Sequence, residues 1–273
     1  MMDELNNSED LREQIQVEEE ISVTDKLVGV LSEPSSLFEK LSNMELKTMD
    51  WLIPILFVII VAAVSNFIMM GNPEIKADVI EKQISVMEKS FQEQVDKGNM
   101  NQEQADEQIE LIRERMEEGG STQTIMASVG ILIVTFIMFF IIAGVFYLLT
   151  KFALGGVGSY KTAMSAYGLP YYILALQIIV MIILAMTMNK MFMDTSVGSF
   201  LDMEKDTILG MLSHKLDVFS IWFYAVVSIA FAKMFKADSL TKYFIMVFGM
   251  WIGFSLLMHF VAQAVPFLKM FGM

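Results

Sequence analysis

The chain offers few side chains able to do chemistry, and most of them lie inside or beside strongly apolar stretches. His259 and Gln263 stand one helical turn apart on one face, the spacing of a proton or ligand relay, since an ionisable group within a membrane span marks function by default. The plainer reading is that they bridge helices or meet water near the end of their span. Asn66 and Gln177, with several Ser and Thr, are the other polar side chains within such stretches. These residues form no carboxylate pair, no nucleophile with its base and no His-Glu metal helix, so enzyme chemistry has no visible basis. Met186, Met188, Met191 and Met193, with Met203, Met211 and His214 downstream, are soft ligands of the kind that select Cu(I). Against that stand 25 methionines in the chain, which make close spacing unsurprising in a residue that fills apolar gaps. Gly155-Gly156-Val157-Gly158 superficially resembles a phosphate cradle, but it lacks the Gly-Lys-Ser/Thr ending and the preceding strand, and it reads as a flexible turn.

What must position these residues is a set of five apolar runs. Trp51–Met70 has no charge over its whole length and at 1.5 Å per residue covers about 30 Å, the thickness of a hydrocarbon core. Four more follow, at about 124–150, 166–188, 216–235 and 241–265. The expected fold is therefore all-α, a polytopic membrane bundle of five transmembrane helices, in agreement with a composition that is 55% hydrophobic.

The polar parts carry most of the net charge of −13, which argues against nucleic acid as a partner. With no cysteine there is no disulfide framework, thiolate metal site or thiol nucleophile, and no cofactor is expected. Residues 1–23 are acidic, are expected to be a solvated tail, and do not resemble a cleavable signal sequence. Over residues 24–48, Leu27, Val30, Leu31, Leu37, Phe38, Leu41 and Met44 recur at helical steps around Pro34, which suits a first helical turn. This segment reads as an amphipathic helix in the interface, its apolar side against lipid or the bundle.

Between the first two runs, residues 72–120 form two amphipathic stripes. Val79, Ile80, Ile84, Met87, Phe91 and Val95 make the first, and Ala105, Ile109, Ile112 and Met116 the second, after the break at Asp96-Lys97-Gly98-Asn99. Asn101 with Gln104 resembles a capping box, and Gly119-Gly120 suits a helix end. The expectation is an antiparallel helical hairpin with arms of about 25–35 Å. It is either a solvated loop whose stripes satisfy one another or an acidic arm that binds a protein partner. Gly249 and Gly253 form a small-xxx-small pair, which permits a homo-oligomer or simply close packing within one chain. Lys47, Lys151, Lys161, Lys233, Lys236 and Lys242 flank the shortest loops, placing the amino terminus in the cytoplasm and the hairpin and carboxyl terminus outside a cytoplasmic membrane.

Several short motifs resemble one family. Leu31-Ser-Glu-Pro34-x-x-Leu37-Phe38 followed by Trp51-Leu-Ile-Pro54, then Ser159-Tyr160-Lys161 with Ala166-Tyr167-x-x-Pro170, then Leu216-Asp217-Val-Phe219-Ser-Ile-Trp222 with Lys233, are similar in kind and order to the Yip (Ypt-interacting protein) domain of bacterial membrane proteins. The resemblance covers about residues 27–265. Ala230 stands where that family typically has glycine, and the eukaryotic Asp-Leu-x-Gly-Pro element is missing, so the GTPase binding of eukaryotic relatives is not carried over to these residues. The bacterial branch that the chain resembles implies no firm activity, and the expected function is a non-enzymatic membrane scaffold or membrane-organisation factor binding proteins or membrane lipids, with a small-solute or ion transporter and a Cu(I) binder as rivals. At the matched positions, Tyr160 and Tyr167 suit the membrane interface, Pro170 a kink or start of a span, Trp222 an anchor, and Asp217 a helix cap rather than a catalytic acid.

Overall fold

A computed structural model describes residues 21–118, 121–205 and 207–264, with side chains described except at 117–129, 131 and 262–264. Most of the expected tail, the glycine pair 119–120 and the side chain of Gln263 thus lie outside the described residues. Every regular element among the described residues is helical.

Four helical stretches are long and apolar enough to cross a membrane: Met49–Met70, Leu132–Ala153, Tyr160–Met188 and Leu240–Val261. A further helix, Val218–Met234, is as apolar but has 17 residues. Only 11% of the most apolar stretch of Leu240–Val261 and 17% of that of Leu132–Ala153 are buried within the protein. Lipid must therefore cover the rest, because exposing this much contiguous apolar surface to water is prohibitive.

The chain opens with α1 (Val23–Ser32) and α2 (Pro34–Leu41). Ser22 caps α1 by accepting a hydrogen bond from Asp25 N, and Pro34 fills the first turn of α2, where its missing N–H costs nothing. The segment is thus in two helical pieces that divide at Glu33, with Pro34 opening the second. Their apolar stripe faces protein: Val30, Leu37, Phe38 and Leu41 are buried, and α2 packs on the later helix α11. Lys26 Nζ lies 2.6 Å from Asp50 Oδ1, and the other Asp50 oxygen accepts from Lys47 N at 2.6 Å, which fastens α1 to the start of α3 (Met49–Met70).

Asn72 caps α4 (Pro73–Asp96), which packs along α5 (Gln102–Glu118). Then come α6 (Ser121–Leu148), ending in a π-helical turn over Leu149–Ala153, and α7 (Tyr160–Gly168). The third apolar run begins earlier than position 166 and is broken at Leu169–Pro170, where Pro170 caps α8 (Tyr171–Met188). Two short helices, α9 (Val197–Phe200) and α10 (Ile208–Ser213), precede α11 (Val218–Met234) and α12 (Leu240–Ala264). The closest pairings are α3 with α8 and α11 with α12.

At the end of the bundle that holds α1 and α2, called here the near end, the core is aromatic. Trp51 stacks on Phe139 at 5.4 Å, Phe139 on Tyr167 at 5.6 Å, and Phe231 on Phe235 at 5.6 Å. The Gly155–Gly158 turn belongs to this core and is tightly held rather than flexible. Val157 N donates to Phe235 O at 3.0 Å, and a Cβ on Gly158 would sit 2.7 Å from the Phe235 ring, while one on Gly156 would sit 2.8 Å from the Tyr243 hydroxyl. Gly156 and Gly158 fit here because backbone touches side chain, and Gly155 because its φ is +72.

Candidate functional site

Asp217 is the most buried carboxylate of the far end, where α4 and the 189–217 connection sit; it is 1% exposed. As the expected cap of α11 it accepts from Phe219 N at 3.1 Å, and its oxygens also take Thr195 Oγ1 at 2.6 Å, Ser220 Oγ at 2.7 Å and Gln177 Nε2 at 2.8 Å. Gln177 Nε2 donates to Thr195 Oγ1 as well, at 3.1 Å. Each carboxylate oxygen thus receives two donors, which uses its accepting capacity. A carboxylate in this state joins α8, the 189–217 connection and α11, with no lone pair left over for a travelling proton or cation. Its position also matters: Gln177 lies eleven residues before the end of α8, about 16 Å along the helix. The connection therefore folds back into the bundle to reach it.

A second cluster stands beside it. Asp194 Oδ1 accepts from Ser196 N at 3.1 Å and from the hydroxyls of Ser196 and Ser199, and its Oδ2 faces His214 Nδ1 at 3.2 Å. Burial pushes the Asp194 carboxyl up, but the serine hydrogen bonds and nearby Lys205 outweigh it and hold the group below its usual range. Lys215 moves down, because burial disfavours its ammonium and Lys205 repels it, against an opposing pull from Asp194.

The residue types invite comparison with a hydrolytic triad, and the geometry excludes one. A working triad sets serine and aspartate on opposite ring nitrogens. Here Ser196 Oγ, at 3.1 Å, and Asp194 both face Nδ1, and Nε2 lies 2.9 Å from the carbonyl of Met203. Gly198 permits this, since a Cβ there would meet the His214 ring at 2.6 Å.

A third carboxylate clamps α4 to the same connection. Asp78 Oδ2 accepts from Met191 N at 2.7 Å and from Lys82 Nζ at 2.9 Å, and Lys82 also donates to Met191 O at 3.0 Å. Under this ring, Met69, Ile75, Ala185 and Phe192 form a small separate core. Further out, Lys89 meets Glu204 at 2.7 Å and draws its carboxyl down, although both side chains are exposed.

The residues singled out from sequence are not gathered in one place. His259 is buried on α12 with its ring 5.7 Å from that of Phe260, whereas Asn66 lies on the exposed surface of α3. Among the methionines, Met186 and Met188 are exposed at the end of α8, Met191 packs on the small core and Met193 opens onto the α4–α5 side. Among the described residues no group of three or more His, Asp or Glu is placed to hold a metal. Tyr167 is buried among the rings of Phe139, Phe146 and Phe223, 5% exposed, while Tyr160 donates from its hydroxyl to Phe140 O at 2.8 Å. Trp222 is half-buried beside Phe219. A Cβ added to Gly249 or Gly253 would meet no atom within 4 Å, so that flank of α12 is open.

Sequence reasoning found the Asp217 cap and missed its partners, as it missed the Asp194 cluster and the Asp78 clamp. The signal for the second was present: Asp194-x-Ser196-x-x-Ser199 is a local carboxylate–hydroxyl pattern that opens a helix.

Among known families, the Yip1 domain matches residues 28–262. No curated protein and no solved structure matches significantly. Since the match runs from α1 nearly to the end of α12, the chain is a multi-helix membrane protein that belongs to the Yip1 domain family.

Proposed function

We propose that this protein is a non-enzymatic membrane scaffold, crossing the bilayer five times with its amino terminus in the cytoplasm, and that α4 and α5 form a hairpin on the opposite side that binds a protein partner. The observation that carries the reading is the way α4 is held. Asp78, Lys82 and Met191 fix it to the 189–217 connection, while its outer surface and that of α5 present exposed Glu81, Glu88, Glu103, Glu107, Glu110 and Glu114. A cleft of ≈ 890 Å³ separates the helix pair from the connection, with Phe91, Ala105, Ile109 and Met193 in its lining. A rigidly mounted, charged, grooved arm is suited to recognition. The fully occupied oxygens of Asp217 favour this reading over transport, which needs intramembrane groups free to exchange partners.

Deletion of residues 74–118 tests it: copurifying protein should disappear from detergent extracts analysed by mass spectrometry. Persistence of the same partners, or a solute flux in proteoliposomes that His259→Ala abolishes, overturns it. Cu(I) titration should show no difference between the native protein and a Met188→Leu, Met191→Leu variant. Orientation is measurable because the chain has no cysteine. Gly98 has φ +73, so a cysteine at the exposed Asn99 is the better probe, and an impermeant thiol reagent should label it in intact cells.

A further inference from the structure

We infer that the near end carries a binding site for anionic phospholipid headgroups, built from two loops that the fold ties together. One loop runs from the π-helical turn at Leu149–Ala153 to Lys161, the other from Phe235 to Lys242. They are joined by the Val157 N to Phe235 O hydrogen bond and by the contact of Gly156 and Gly158 with Tyr243 and Phe235, so residues some eighty positions apart share one surface. That surface holds Lys151, Lys236 and Lys242, all exposed, and Lys161, half-exposed, against the single carboxylate of Asp238 in the same two loops. Lys151 lies over the Tyr147 ring and donates to its hydroxyl at 2.9 Å. Lys161, Lys236 and Lys242 have no carboxylate within ion-pair distance among the described residues, unlike Lys233, which is taken by Glu39 at 2.8 Å.

Two further features point to lipid rather than to a soluble anion. Phe152, in the last turn of the Leu132–Ala153 stretch, and Val157, on the loop that follows it, are 76% and 72% exposed and lie between Lys151 and Lys161 in the sequence. Apolar tips among cations belong at the headgroup boundary, where the tips enter the acyl layer and the ammonium groups meet phosphate. The second feature is Lys236 itself. It follows the end of α11 with φ +54, the left-handed position that glycine occupies at least cost, and Ala237 N returns to Ala232 O at 2.9 Å as in a glycine-terminated helix. A lysine set where glycine would cost least carries a backbone cost that contacts made by its side chain can offset. This site is independent of whatever α4 and α5 bind.

Native mass spectrometry of the full-length protein in detergent, titrated with equal amounts of phosphatidylglycerol and phosphatidylcholine of the same chains, tests it. Each surface lysine favours an anionic lipid by roughly fivefold, so phosphatidylglycerol adducts should predominate and should persist in excess inorganic phosphate. Lys151→Gln, Lys161→Gln, Lys236→Gln and Lys242→Gln together should bring the two lipids to parity, while removing Lys76, Lys97 and Lys190 at the far end should not. Lys236→Gly should lower the preference with an unfolding midpoint no lower than that of the native protein. Equal binding of the two lipids by the native protein, displacement by phosphate, or equal loss in the far-end control overturns the site.

Discussion

The two ends of this molecule are held together by different physics. At the near end, α2, α6, α7 and α11 meet through rings and branched aliphatics, with Phe38, Phe139, Phe231 and Phe235 fully buried, and a single buried carboxylate, Asp50, adds a polar joint between α1 and α3. At the far end, the apolar core shrinks to Met69, Ile75, Ala185 and Phe192, and three carboxylates do most of the joining: Asp78 to Met191, Asp194 to Ser196 and Ser199, and Asp217 to Gln177 and Thr195. Non-directional packing tolerates salt and pH; hydrogen-bonded carboxylates specify one geometry and depend on their charge. The near end is thus a platform, and the far end is where conformation can respond to conditions.

Substitutions can separate the two regimes. Phe231→Ala should have the largest effect, about 3–5 kcal/mol, because it opens a cavity among Phe146, Phe235 and their neighbours, and the loss should be the same at any salt concentration. Asp217→Ala comes next, at about 2–4 kcal/mol, since Gln177, Thr195 and Ser220 would lose their acceptor inside the protein. Both are read from thermal unfolding in detergent.

Asp194→Asn sharpens the comparison through pH. Its carboxyl is held below the usual range, so it stabilises the fold above the unfolded value of about 3.9, and that contribution is lost as pH falls through the lower folded value. The variant should be less stable than the native protein by about 1 kcal/mol at pH 7, and the gap should close below pH ~4. A constant gap down to pH 3 would mean the carboxylate charge is irrelevant there. The smallest effect has the opposite sign. Tyr243 is buried at the near end with its hydroxyl unpartnered, so Tyr243→Phe should match or exceed native stability, by at most about 1 kcal/mol.

Much of the architecture was legible because membranes impose simple rules. Charge-free runs marked the apolar helices at Trp51 and Tyr243, Pro34 and Asn72 marked helix starts, and Asp217 marked the cap of α11. Pro170 left a kink and the start of a span both open, and the break at Leu169–Pro170 is the kink; the stretch already helical from Tyr160 left no local trace. The polar joints were illegible because their members are common residues far apart, as with Lys26 and Asp50 or Gln177 and Asp217. Nothing local distinguishes a lysine that will be buried from one that will not.

The partnership of Gln177 with Asp217 bears on how the protein is made. A helix of 17 residues headed by a carboxylate is a poor candidate to enter a bilayer alone, being short for the purpose and carrying a charge at its leading end. The amide that satisfies that charge sits on α8, forty positions earlier, so it is already synthesised when α11 leaves the ribosome. On the five-span topology proposed above, an α8 already seated in the bilayer offers this amide to Asp217 as α11 settles beside it.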